Sequence, residues 1–587
     1  MSNKKTLRRD EIDTGATTAE EIHKAIADLP LKMLEEIDRL KGPAKGVRRM
    51  HDYTIVAIYD LTRGLNHLRR RAAGGSNQTP IRARRGGGHV ARGPFASESP
   101  HAEEVEMRRN PMIGVYTAGA ILMALLLTTP ALAAPTFFPT LSSESAACTD
   151  CHKQQTPGIV EQWGASKHYR GNVGCFECHG AKADEPGGYE HLGHTIRTIV
   201  TPFTCARCHE KEVGEFEASR HAKGAEILGS LDNTLAEVVE GNKAFFGGSA
   251  LLANGCQQCH GSTVKVDKDG RPTPDTWPNS GIGRINLDGS RGSCSACHQR
   301  HTFSAAQARH PDTCGKCHLG PDHPQKEIYE ESKHGIAFAA NAGAMRIDQP
   351  KWVVGEDYAV GPTCASCHMS ATPSQAVTHN VGARISWNNR PEISIRPDVA
   401  DTKLGLADPV PWQKRRESMK EVCAACHSPS FAESFYVQYD GLIELYNDKF
   451  GKPGKAIVDA IKKAKLVEGE PFANKIDWIW FELWHHEGRR ARHGASMQAP
   501  DYTHWHGLYE VAKTFYVEFI PEARELVEKA KATGGAKAEA AKEVETLLDD
   551  TLKSDNHRWF VGTLSPDEKA ARAKQREEFT KRYSTQK

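Results

Sequence analysis

Cys294-Ser-Ala-Cys297-His298 and Cys314-Gly-Lys-Cys317-His318 repeat one pentad, C-x-x-C-H, inside a single short stretch. Read outward from there, the pentad accounts for all 16 cysteines of the 587-residue chain. The other pairs are Cys148/Cys151, Cys175/Cys178, Cys205/Cys208, Cys256/Cys259, Cys364/Cys367 and Cys423/Cys426. The histidines that follow the pairs are His152, His179, His209, His260, His298, His318, His368 and His427. Structural zinc would not demand a histidine after every second cysteine. A redox C-x-x-C usually comes singly, and a disulfide framework would not impose the pentad. C-x-x-C-H is the attachment site of c-type haem: two thiols join the vinyl groups and the adjacent histidine becomes the proximal iron ligand. The sequence therefore predicts eight covalent haems. The formal net charge of +2 gives no global field for nucleic acid.

Residues 1–106 lack cysteine and carry basic, Gly-rich runs such as Arg82–Arg92. Met107-Arg-Arg then leads into an apolar stretch from Met112 to Leu127 and the small residues Ala131–Ala134. That succession reads as a secretory signal, 107–133, preceded by a non-native or disordered extension. If residues 1–106 are real, the run becomes a membrane anchor instead. Either way the haem-bearing part is expected outside the cytoplasm, in the periplasm.

Residues 134–428 hold all eight pentads at irregular intervals, which argues against a solenoid. Short helices and loops around a haem stack, with little sheet, are expected. Residues 429–565 change character: 430–466, 472–492, 505–533 and 536–553 carry helical periodicity, with Pro453-Gly454 and Gly534-Gly535 as punctuation. The fold class is mainly α, a haem-stacked N-terminal part followed by a long helical bundle. Residues 566–587 form a charged tail.

Beyond the proximal residues the mature chain offers 15 further histidines. Seven distal ligands with one open iron fit that supply, and so do eight bis-histidine haems. The strongest distal candidates are His168, His221, His301, His334 and His379, with His191 or His194 and one of His485, His486 and His493, here taken as His493. Arg489, Arg490 and Arg492 read as partners for haem propionates.

Two segments carry more than generic haem chemistry: His493-Gly-Ala-Ser-Met-Gln-Ala-Pro-Asp501-Tyr502-Thr-His504-Trp505-His506-Gly507, and Cys314-Gly-Lys-Cys317-His318-Leu-Gly-Pro-Asp322-His323-Pro. With the eight pentads and the helical C-terminus, they resemble the octahaem hydroxylamine oxidoreductases over roughly residues 140–560. The resemblance implies that the fourth haem, on Cys256, Cys259 and His260, is catalytic. It also implies that Tyr502 of a neighbouring subunit is covalently linked to that haem, in a homotrimer. Asp322 and His323 would form the distal pocket, with Tyr358 as a further pocket residue. Multi-electron oxidation requires a base near the substrate nitrogen, and a histidine beside a carboxylate suits that task. The expected substrate is hydroxylamine, the product nitric oxide or nitrite, and the electron acceptor a cytochrome c. Hydrazine oxidation, a reductive octahaem enzyme and a non-catalytic electron carrier are the alternatives.

Overall fold

The computed structural model describes residues 140–229, 238–239, 249–406 and 409–584. The predicted extension 1–106 and signal 107–133 lie outside the described residues. Among the described residues, no helix is long and apolar enough to cross a membrane.

The molecule is mainly α, as the pattern of pentads and periodic segments predicts. Its first half consists of short helices, several of them little longer than a pentad. Cys175–His179, Cys256–His260 and Cys364–His368 are single helical turns that place the two sulfurs and the imidazole on one side. A capping box fixes the last of the three: the Thr363 side chain accepts from Ser366 N while Ser366 Oγ accepts from Thr363 N. The third pentad lies inside the helix α1 (Pro202–Glu217), where His209 leaves helical geometry and kinks the chain. Sheet is confined to one hairpin among the described residues, β1 (Gly188–His191) against β2 (His194–Arg197).

The second half is built from long helices: α2 (Pro429–Tyr446), α3 (Lys452–Lys463), α4 (Lys475–Phe481), α5 (Gly488–Ser496), α6 (Ile520–Thr533) and α7 (Gly535–Lys553). Ile457 and Ile461 of α3 pack with Val527 of α6, Ala541, Val544 and Leu548 of α7, and the Phe515 and Phe519 rings. Each such side chain contributes about 1.5–3 kcal/mol on burial, so this region carries its own core without haem. Pro453 does not stop the first long helix, contrary to the punctuation read from sequence. A π-turn, Asn447–Gly451, precedes it, and a second, Phe515–Phe519, precedes Pro521. Proline lacks an N–H and crowds the carbonyl four residues back. The wider π-turn offers a local spacing that accommodates it. Gly534-Gly535 does separate α6 from α7, both at positive φ. The charged tail forms a helix, α8 (Pro566–Ser584), none of whose residues is buried.

Candidate haem sites and active-site pocket

A cavity of about 2570 Å³ runs through the pentad-bearing half. It is several times the roughly 300–1,000 Å³ of a single-ligand site. Cysteines of all eight pentads and all eight proximal histidines line it. Six proximal rings face a second imidazole across it. The pairs are His152–His191 (6.3 Å between ring centres), His179–His301 (6.4 Å), His209–His168 (6.3 Å), His298–His379 (6.5 Å), His318–His221 (6.1 Å) and His427–His334 (6.1 Å). A metal–imidazole bond of about 2 Å on each side, with about 1 Å from nitrogen to ring centre, sums to roughly 6 Å. The spacing is too long for ring contact and fits one iron between each pair.

The proximal rings are set for ligation from the other nitrogen too. His179 Nδ1 donates to Arg197 O at 2.9 Å, and His260 Nδ1 to Gly224 O at 3.3 Å. His152 Nδ1 pairs with Thr156 Oγ1 at 2.9 Å. An Nδ1 so engaged leaves Nε2 for the metal. Burial lowers the proton affinity of the rings, to about 4 at His221, His298 and His368 and about 3 at His318. They are neutral imidazoles at neutral pH, the form that binds metal. The residues present fit haem on geometry, donor type and space.

Adjacent pentads touch. The sulfur of Cys205 lies within hydrogen-bond reach of that of Cys294, Cys317 of Cys259, and Cys314 of Cys364. Charge coupling joins Cys148 to Cys175, Cys178 to Cys205, Cys297 to Cys314 and Cys367 to Cys423. These sulfur contacts and charge interactions together trace a line through pentads one, two, three, five, six, seven and eight. The fourth pentad branches from the sixth, where Cys259 Sγ is 3.9 Å from Lys316 O.

Asp322 and His323 lie near that branch. His323 Nδ1 is paired with Asp322 Oδ1, and the His323 ring stands edge-on to His318 at 6.0 Å. Both Asp322 and His323 act electrostatically on Cys259 of the fourth pentad, and both line the cavity. Burial works against the Asp322 charge, but the close His323 ring and the nearby His485 and Arg489 charges prevail and hold its pKa at about 2. Arg489 reaches in from α5, with Nη1 3.3 Å from Asp322 Oδ2.

Local sequence explains how the distal rings are presented. Ser166 and Ser332 cap short helices through Tyr169 N and Gly335 N, both at 3.1 Å, and place His168 and His334 in the first turn. Ser219-Arg-His221 repeats the spacing without the cap, since Ser219 Oγ makes no hydrogen bond, and all three serines are buried. His191 and His194 face each other across the hairpin turn, but only His191 meets a proximal ring; His194 lies against Phe176. His493 is half-buried on α5, lines the cavity and its Nε2 sits 3.5 Å from Gln325 Nε2. His485 stacks on Phe481 at 4.1 Å, and His486 pairs with Glu482.

The remaining expectations fall elsewhere. Tyr358 is buried in a core cluster, stacked on Trp352 at 4.4 Å with its hydroxyl donating to Ser370 Oγ. It is not among the cavity-lining residues. Tyr502 is half-buried, its N–H donating to Glu331 Oε1 at 3.2 Å, and it too lies outside the lining of its own chain's cavity. Its segment is pressed onto α5 by two glycines. A Cβ on Gly507 would stand 2.3 Å from Tyr502 O, and one on Gly494 2.7 Å from Tyr502 C. The propionate reading of the arginine cluster is corrected for two members. Arg490 binds Glu510, and the fully buried Arg492 is spent on Gly488 O, Pro391 O, Trp484 O and Ser394 Oγ. Only Arg489 of the three lines the cavity. No sequence spacing links it to Asp322, because the two are 167 residues apart.

Comparison with known proteins agrees with the geometry. Residues 286–474 match the family model described as "seven times multi-haem cytochrome CxxCH", and residues 204–278 the model for cytochrome c554 and c-prime. A probable nitrite reductase–hydroxylamine oxidoreductase fusion protein of Kuenenia stuttgartiensis is 26% identical over 331 residues, 49% of this chain and 34% of that protein. The C-type polyheme cytochrome OmcC of Geobacter sulfurreducens is 33% identical over 120 residues, 19% of this chain and 14% of its own. The chain's match thus spans about a third or less of the length of these curated relatives. A solved structure titled as a hypothetical multiheme protein superimposes with a TM-score of 0.57 at 27% identity, covering 67% of this chain and 96% of that one.

Proposed function

We propose that this multihaem c-type cytochrome oxidises hydroxylamine at the haem of its fourth pentad, Cys256, Cys259 and His260, and sends the electrons along its other haems to a cytochrome c. One observation carries the reading: an Asp322–His323 pair, held by Arg489, lines the haem cavity beside His318 of the sixth pentad, near enough to Cys259 of the fourth to act on its charge. The haem, when bound, supplies the redox centre and the site where the substrate nitrogen is polarised.

The chain's own residues supply proton handling. Asp322 is ionised throughout the physiological range and holds its carboxylate against Nδ1 of His323 as an ion pair. A carboxylate on that side favours the tautomer with the proton on Nδ1, so Nε2 of His323 is the acceptor for substrate protons as electrons depart. The closeness of successive pentads would hold neighbouring haems near one another, and such a series would supply a path for several electrons. His191, His301, His168, His379, His221 and His334 would hold six of the irons opposite the proximal rings and reserve them for electron transfer.

Tyr502 completes the site from a second copy of the chain, as a covalent link to the fourth haem within a homotrimer. Its place outside its own cavity, beside exposed Trp505 and Tyr509, supports a role across an interface. The test is a steady-state assay of purified holo-protein with cytochrome c as acceptor, with hydroxylamine and hydrazine as parallel substrates. The reading expects the higher kcat/KM with hydroxylamine. Turnover with hydrazine alone would reassign the substrate. Activity only with nitrite and a strong reductant would reverse the direction of the chemistry.

A further inference from the structure

We propose that Arg489 is the positioning residue of the pocket: it fixes the Asp322 carboxylate and, through it, the His323 ring. This role rests on the proposed site at the fourth pentad.

The geometry divides one carboxylate between two partners. Asp322 Oδ1 takes His323, and Asp322 Oδ2 takes Arg489. Rotation of the carboxylate would break both contacts, so the Arg489 contact locks the ring contact. Arg489 is itself fixed on its remaining sides. Its Nε donates to Arg390 O at 2.9 Å, and its guanidinium lies over the Trp484 ring at 5.0 Å. The side chain is only 11% exposed. A planar, preorganised fork loses little freedom on holding such a carboxylate, and a lysine cannot reproduce it. The flanking Arg490 and Arg492 are engaged with other groups, so the cluster aims one guanidinium at the pocket.

The bland alternative is an ion pair that merely ties α5 to the loop after the sixth pentad. The two differ in what they couple. A tie acts on stability; a positioning residue acts on the reaction, and only through Asp322. A misplacement of about 1 Å can cost on the order of 100-fold in rate.

The experiment compares Arg489→Gln, Arg489→Lys, Asp322→Asn and the double variant R489Q/D322N as holo-proteins with checked haem content. Two readouts are taken: kcat and KM for hydroxylamine, and the C–O stretch of carbon monoxide bound to the reduced protein. R489Q is expected to lower kcat roughly 10- to 100-fold with KM within about threefold. R489K should fall between R489Q and the parent, and the double variant should be no slower than D322N. The C–O band of R489Q should move toward that of D322N. Multiplying losses in the double variant, or a band moved by D322N and untouched by R489Q, would overturn the role. A parent that binds carbon monoxide but does not oxidise hydroxylamine defeats the substrate reading alone, and the band comparison still decides Arg489. A parent that binds no carbon monoxide defeats both.

Discussion

Replacing Asp322 by Asn is expected to destabilise the protein by on the order of 2 kcal/mol at neutral pH, and by progressively less in acid. The figure follows from the fall of the carboxyl from its ordinary 3.8 to about 2, at about 1.36 kcal/mol per tenfold change in proton affinity. The side chain is 21% exposed, so solvent screening is limited. The sign follows from linkage. A carboxyl depressed in the folded state contributes stability that is complete above its unfolded pKa and lost as pH falls through the folded one. The contribution should therefore be full at pH 6–7, roughly half lost at pH 3, and small below about pH 2. Denaturant unfolding of parent and D322N holo-protein, followed by circular dichroism across that range, measures the difference. Equal stabilities at pH 7, or a difference that does not shrink in acid, would show that Asp322 is not held ionised by His323 and Arg489.

Other outcomes can be checked in parallel. Glu487 is buried against Thr514 and its pKa is pushed up to about 7 by burial, so the folded state holds a proton that the unfolded state gives up near 4.5. Stability then falls as pH rises between those values, and Glu487→Gln should raise stability at pH 8 by an amount on the order of 2–3 kcal/mol while leaving pH 4 unchanged. His334→Ala removes the ring opposite His427 and should convert one low-spin haem to high spin in the electron paramagnetic resonance spectrum, with no change in haem count. Gly281→Ala places a Cβ 1.9 Å from Gly261 N and 2.4 Å from Gln257 O, against the fourth pentad's turn. It should cost more than about 3 kcal/mol and give protein with seven haems or none, read by intact mass.

How much of this was legible in the sequence follows from where the physics is local. The pentads were, because covalent attachment fixes residue type and spacing. The Ser-Lys-His168 and Ser-Lys-His334 signals were, because a capping serine and the ring it presents lie within one turn. The choice between His191 and His194 was not, since both end the same hairpin and only the packed position of His152 decides. The Arg489–Asp322 contact was not, because 167 residues separate its partners. The passage of a long helix through Pro453 was hidden too, since a π-turn leaves no clear mark on periodicity. Arg492 carried the right charge for a propionate, but backbone carbonyls had already taken it.

The central claim concerns one distinctive haem among the set, attached at Cys256 and Cys259 and tied to a tyrosine of another copy. Mass spectrometry of haem peptides from proteolysed, purified protein tests it most directly. The account predicts eight haem groups per chain and a three-way peptide in which Tyr502 is joined to the haem on Cys256 and Cys259. A free Tyr502 peptide, recovered with an unmodified haem on that pentad, would contradict it.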